Sequence, residues 1–227
     1  MVNGFQNMPW PDLPVHNING VRFYETPNGN KYPSITSVLS AQPGKSKGLH
    51  EWRQRVGIDV AKNITMKAAR RGTAFHNLVE DYLNKEDIKK HKEKNFLAYC
   101  MFGEMKEYID NNIQLVYLLE QSMFSDDYAV AGRCDCVAEY NNKLSIIDFK
   151  TTTTMKKDEW NEDYYTQCAA YAAMFEEHTK TPVENLVIMM VAENGEVQCF
   201  EKDPADYLPR LDDMVATFYE NLEISAN

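Results

Sequence analysis

The sequence predicts an α/β fold, and three observations carry that reading. Apolar residues recur at helical steps of three and four up to about residue 109. The period then drops to two over three successive segments. Beyond them helix, strand, strand and helix follow one another with no internal repeat, linker or low-complexity tract. A chain of 227 residues with 44% hydrophobic and 26% charged residues can bury one good-sized core, which excludes a disordered tail or a fibre. One domain is expected, with an N-terminal hairpin or edge extension over 1–32, a core over 33–200 and a C-terminal helix over 201–227.

The elements follow in order. The first thirty residues are rich in Asn, Pro and Gly and hold one short strand at Val21 to Tyr24. Ser34, Thr36 and Ser37 offer hydroxyl caps for a short helix through Leu39, which Pro43-Gly44 ends. Leu49, Trp52, Val56, Val60, Ile64 and Ala68 have the spacing of one buried helical stripe from about 49 to 70. Gly72 interrupts it, and Thr73 caps a new helix with Phe75, Leu78, Val79, Tyr82 and Leu83 on its apolar side and His76 and Glu80 on the other flank. A lysine-rich turn leads to a helix from about Asn95 to Ile109. Leu115 to Phe124, Tyr128 to Tyr140 and Leu144 to Lys150 read as antiparallel strands. A helix over Tyr164 to His178, strands at Val183 to Ala192 and Glu196 to Phe200 around a type I′ turn at Asn194-Gly195, and an acidic amphipathic helix from Pro204 to Leu222 complete the chain.

Composition narrows the function classes. No apolar run approaches the roughly 20 residues that a bilayer span needs, and Met1 to Trp10 lacks a secretory pattern, so a soluble protein in a reducing cytoplasm is expected. The cysteines, Cys100, Cys134, Cys136, Cys168 and Cys199, are odd in number and have no C-x-x-C spacing, which suggests neither a disulfide framework nor a four-thiolate zinc site. The net charge of −10 argues against a polyanionic partner, but the distribution does not. Between Pro43 and Arg71 eight basic residues stand against two acids, whereas from Met155 onward five basic residues face sixteen acids. The basic stretch is either a solvated helix face or an electropositive surface on an acidic body.

The second and third strands carry the chemistry. If Asn141-Asn142 is a two-residue type I′ loop, counting outward sets Asp135 opposite Asp148 and Arg133 opposite Lys150. Two facing carboxylates repel unless a cation sits between them. Lys150 lies two residues beyond Asp148 and shares its face. Two acids sharing a divalent cation, with an ammonium beside them that orients or deprotonates a water, suit magnesium or manganese. The alternative is a surface salt-bridge ladder. Ile146, Ile147 and Phe149 speak against it, since they make the third strand apolar and central, where unpartnered charge is costly.

At this point a family resemblance is visible. Pro33 to Leu39, Arg71-Gly-Thr-Ala-Phe-His76 with Glu80, Gly132-Arg-Cys-Asp135, Ile147-Asp-Phe-Lys-Thr151 and Gln167-x-x-x-Tyr171 appear in the order of the RecB-like exonuclease branch of the PD-(D/E)XK nuclease superfamily. Within that branch the chain resembles the exonucleases of mitochondrial genome maintenance and their phage relatives. The resemblance implies a central mixed β-sheet flanked by helices, with a restriction-endonuclease-like core. It implies magnesium- or manganese-dependent hydrolysis of DNA, with His76, Asp135, Asp148 and the Phe149 carbonyl as metal ligands, Lys150 as the catalytic lysine and Glu80 as an acid near the metal. Gln167 and Tyr171 match a helical motif that steadies the site and meets nucleic acid. Ser34, Thr36, Arg70, Arg71 and Thr151 are further candidate nucleic-acid contacts. Cys134 stands where the family name has proline, and the cysteines of an iron–sulfur centre are missing, so no cluster is expected.

The leading expectation is a DNA exonuclease acting on single-stranded ends in replication, repair or recombination, in a bacterial or phage setting. A structure-selective endonuclease with the same site, a non-catalytic single-strand-binding accessory and a metal-stabilised scaffold are the alternatives. An end-labelled oligonucleotide with magnesium, with and without a terminal block, separates the four.

Overall fold

A computed structural model describes the backbone of residues 4–5 and 9–226 and the side chains of 9–222. Met1 to Asn3, Gln6 to Met8 and Asn227, at the outer ends of the expected N- and C-terminal segments, lie outside the described residues. The main sheet is mixed and six-stranded, in the order β1 (Gly4–Phe5), β5 (Ile113–Ser125), β6 (Val130–Tyr140), β7 (Lys143–Thr152), β8 (Asn185–Ala192), β9 (Val197–Lys202). A small antiparallel sheet of β2 (Val15–Ile18), β3 (Val21–Glu25) and β4 (Lys31–Pro33) precedes α1 (Ile35–Ser40).

Helices cover both faces of the main sheet. On one side α1, α6 (Glu162–Thr179) and α7 (Leu208–Ala226) bury Ile35, Val38, Cys168, Tyr171 and Leu211 against Ile146, Ile188 and Met190. On the other the second half of α3 (Ile58–Leu83) and α5 (Phe96–Asn112) bury Phe75, Leu78, Phe102 and Met105 against Ile147, Phe149 and Met189. The alternation Ile146, Ile147, Phe149 therefore buries β7 on both faces, as its apolar sequence requires. β5, β6 and β7 form an antiparallel meander, and α6 carries the chain across to β8, which runs parallel to β7.

Asn141 and Asn142 take positive φ of 50° and 63°, and Tyr140 pairs with Lys143, so this hairpin has the expected turn and register. Elsewhere the chain departs from expectation. The residues from 49 to 70 do not form one buried helix. Gly57, at φ 91° and ψ 140°, separates α2 (Lys45–Val56) from α3 in a conformation that only glycine adopts freely. The apolar stripe is not buried either: Leu49, Val60 and Ile64 are 44%, 51% and 47% exposed, and of the first half of α3 only Ala61 is in the core. Amphipathic spacing marks an apolar face, not what covers it. Gly72 breaks nothing, and α3 runs through it to Leu83; the packing of Phe75, Leu78 and Val79 outweighs the ~1 kcal/mol that an interior glycine costs. A further short helix, α4 (Lys90–Lys94), occupies the lysine-rich turn. At Asn194-Gly195 only the glycine has positive φ, 89°, so the turn is not type I′.

Candidate active site

At one step the strands β5 and β6 both reverse the face on which their side chains lie. Cys134 packs on the α6 side and Cys136 on the α5 side, although two residues apart they would share a face in a regular strand. On β5, Leu118 and Met123 both pack on the α6 side, although an odd spacing of five separates them. The reversal falls at Glu120 and Asp135, which stand opposite each other between the pairs Leu119–Cys136 and Gln121–Cys134. Glu120 has φ 47°, a left-handed conformation uncommon outside glycine. The pairing of β6 with β7 ends one step short of it, at Cys136–Ile147. Asp135 and Asp148 are thus next in register but do not simply face each other: Asp135 turns so that its Oδ2 accepts the Phe149 N–H at 2.9 Å.

His76, from α3, meets this point from the other side. Its Nε2–H donates to the Phe149 carbonyl at 2.8 Å, and its Nδ1 lies 3.3 Å from Glu120 and 3.5 Å from Asp135. Burial alone would lower the His76 pKa, but the Asp135 charge and the Glu120 hydrogen bond outweigh it and carry the value up to about 9. Ligand atoms of His76, Glu120 and Asp135 all lie within 4.8 Å of one another. Beside them Asp148 is 1% exposed, and neither of its oxygens accepts a well-formed hydrogen bond. Its one charged contact is the Lys150 ammonium. Burial raises the Asp148 pKa, and the Asp135 charge adds to it against the pull of Lys150. The Lys150 pKa also ends raised: burial acts to lower it, but Asp148 and Asp135 prevail. Lys150 thus meets Asp148 as an ammonium, placed to orient a water.

Three carboxylates, a carbonyl and an imidazole form a hard donor set of the kind magnesium or manganese takes. Asp148 Oδ1 is buried without a hydrogen-bond partner and Oδ2 meets only the Lys150 ammonium, so a divalent cation would complete the surroundings of this carboxylate. The compact group His76, Glu120 and Asp135 brings in one acid beyond the expected ligands, Glu120, while Asp148 stands beside it in contact with Lys150. Glu120 was not singled out in the sequence. Its acid is one of many, and its place depends on a backbone reversal that residue spacing does not encode.

The other expected residues divide into two groups. Glu80 lines a cleft of about 390 Å³ with His76, Asn77, Glu120 and Arg133, and burial and the Glu120 charge raise its pKa. Arg70 is exposed on α3. Arg71, read as a surface cation, is buried: it donates to the Thr151 hydroxyl at 3.1 Å, to the Thr151 carbonyl and Thr153 at 3.4 Å, and contacts Glu193. It thereby ties the helix of His76 to the strand of Lys150. Ser34 is buried and caps α1 through Ser37 N–H at 3.1 Å, with exposed Thr36 hydrogen-bonded to it. Gln167 and Tyr171 are in the core, where Gln167 Nε2 donates to the Tyr171 hydroxyl at 3.2 Å. The Tyr171 ring lies so close to the backbone of Gly132 that a Cβ there would meet it at 2.7 Å. Arg133 does not pair with Lys150 but reaches back to Glu120 at 2.9 Å.

The chain belongs to the PD-(D/E)XK nuclease superfamily, whose sequence model matches residues 49–223. It is 32% identical over 133 residues to the human mitochondrial genome maintenance exonuclease 1, covering 56% of this chain and 38% of that protein. The mouse protein of that name is 29% identical over 133 residues, covering 56% and 39%. The chain thus spans about two fifths of the length of the curated relatives it matches. A crystal structure of a candidate exonuclease from Eubacterium rectale aligns over 66% of each chain at 13% identity, with a TM-score of 0.46.

Proposed function

We propose that the protein is a divalent-metal-dependent DNA exonuclease acting on single-stranded ends. The observation that carries this reading is the buried Asp148 carboxylate, which meets only the Lys150 ammonium and whose Oδ1 has no partner, beside the group His76, Glu120 and Asp135. His76, Glu120, Asp135, Asp148 and the Phe149 carbonyl would hold magnesium or manganese. Such an ion, when bound, polarises a phosphodiester and makes water a better nucleophile. Lys150 stays charged, so it orients the attacking water by donating to its oxygen and offsets the negative charge that grows on the phosphate. Arg71 keeps the Lys150 strand in place against the His76 helix. The exonuclease assignment draws on the relatives, which are named as exonucleases.

The single-strand assignment draws on α2 and the first half of α3. Arg53, Arg55, Lys62, Lys67 and Arg70 are exposed there and suit backbone phosphates. Ile58, Lys62, Met66 and Ala69, spaced along one side of α3, line a largely apolar groove of about 560 Å³ with His50 and Arg53 of α2. The same side of α3 continues to Thr73, His76 and Glu80 in the metal-side cleft. A strand lying along that side meets apolar surface for its bases and cations for its phosphates before it reaches His76. A reducing, cytoplasm-like compartment is part of the same reading.

An end-labelled single-stranded oligonucleotide, offered with magnesium, with manganese and with chelator, tests it. Cutting should need metal and stop when the terminus is blocked. Lys150→Ala and Asp148→Asn should each lower the rate by about 10²-fold or more, the scale of a lost acid–base or orienting group. Either variant keeping more than about a tenth of the wild-type rate would remove the active-site assignment. Cutting within a circular strand would make the enzyme an endonuclease.

A further inference from the structure

Beyond Lys150, on the side away from His76, Tyr164 of α6 carries two ammonium groups on one ring. The Lys150 Nζ stands 4.9 Å from the ring centroid and the Lys156 Nζ 4.8 Å from it. Lys156 also donates to the Tyr164 hydroxyl at 3.0 Å. A cation resting on an aromatic face is common; two on one ring repel each other. The acids nearest in sequence are engaged elsewhere. Asp158 takes Lys202 at 2.7 Å and the Tyr165 hydroxyl at 2.5 Å, Glu159 takes Lys157 at 3.8 Å, and Asp163 takes Lys45 and Arg210. Among the described residues no carboxylate forms an ion pair with Lys156, and Lys150 has only Asp148. The segment that bears Lys156 is anchored where it leaves β7: Thr153 accepts from Arg71, and the Thr152 hydroxyl donates to the Thr154 carbonyl at 2.8 Å.

We propose that Lys156, Tyr164 and Lys150 form a seat for a second backbone phosphate, the one next to the phosphate being cut. Lys156 supplies its charge to that phosphate. Tyr164 is a positioning residue: its ring holds Lys150 toward Asp148, and its hydroxyl holds Lys156. An anionic phosphate oxygen held by Lys156 at this ring is drawn by the charge of Lys150 as well and offsets the repulsion between the two cations. The proposal rests on the nuclease reading for its substrate, but the seat is measurable without cutting.

The full chain is titrated with a fluorescent oligothymidylate in chelator over a range of salt, and cleavage kinetics are then taken in manganese. Lys156→Gln should weaken binding about fivefold and reduce the magnitude of the log–log salt slope by about 0.7, as one lost phosphate contact does on a single strand. In the kinetics its loss should fall mainly on KM. Tyr164→Leu removes the ring and should lower kcat about tenfold or more. Tyr164→Phe keeps the ring but not the hydroxyl that holds Lys156, so its binding should move toward that of Lys156→Gln. Wild-type affinity and slope in Lys156→Gln overturn the phosphate seat. A wild-type kcat in Tyr164→Leu overturns the positioning role. If the wild type cuts no strand in manganese, the nuclease reading and the positioning role fail together, and the chelator arm still decides the seat.

Discussion

The residues that make up the site differ in how far the sequence reveals them. Asp135, Asp148 and Lys150 were singled out because Asn141-Asn142 admits a tight turn, and that turn fixes the pairing outward as far as Cys136–Ile147, one step short of the two aspartates. His76 was legible only beside those aspartates. Glu120 was not, since its side chain reaches His76 through a left-handed backbone on a strand that looks regular in sequence. A non-glycine residue in that conformation costs on the order of 1–3 kcal/mol, a strain that persists where a function holds it. Manganese at about 100 times its Kd should stabilise the wild type by about 2.7 kcal/mol. Glu120→Gln should gain much less, measured as the shift of the thermal midpoint between chelator and manganese, and an equal gain would take Glu120 out of the ligand set. Gly132 sets a second residue-level test. Alanine there meets the Tyr171 ring at 2.7 Å and Ile35 at 3.1 Å. With both neighbours buried, the variant should lose about 1–3 kcal/mol by denaturant titration, as overpacked cores do. A wild-type midpoint would show that Tyr171 can yield.

Among the elements, those whose apolar side is covered were read correctly and those left uncovered were not. β7 and α6 announce their burial by composition, and the structure packs them between layers. The stripe from Leu49 to Ala68 has the same periodicity but stands mostly in solvent, because periodicity says nothing about a partner. Arg71 fails in the opposite sense: its charge suggests surface, and its five donors are what let it be buried among hydroxyls, a carbonyl and a carboxylate. α2 contributes no buried side chain and α3 only Ala61 before Arg71. Gly57, which joins them, has room for a Cβ, which would meet Val60 at an ordinary 4.0 Å, but a backbone that alanine resists. Gly57→Ala should therefore change the angle of the basic hairpin and weaken oligonucleotide binding, while the thermal midpoint stays within about 2 °C of wild type. A large fall in the midpoint would mean that the hairpin belongs to the cooperative core.

For the molecule as a whole, charge separation is the organising fact. A net charge of −10 conceals a basic helical hairpin in the first third of the chain and an acidic remainder after Met155. The acidic body repels polyanions, and in the proposed function the hairpin is the side that receives them. The same whole-molecule view gives the cysteines a use. Cys134 and Cys136 flank Asp135, and Cys168 lies under Lys150 on α6; all three are buried, and burial pushes each thiol up in pKa. Cys100 is exposed. In the closed protein a thiol reagent therefore finds Cys100 at once, half-buried Cys199 more slowly, and the three buried thiols only when the sheet opens around the site. Modification of those three is a clock for that opening, and it runs without nucleic acid or catalysis. Mass spectrometry after timed alkylation should show a fast label at Cys100, an intermediate one at Cys199 and three slow ones. Manganese should slow Cys134, Cys136 and Cys168 and leave Cys100 alone, so that occupancy of the site is recorded as time rather than as a signal from the ion. Three thiols that keep their pace in manganese would mean that the sheet breathes independently of what the acids hold.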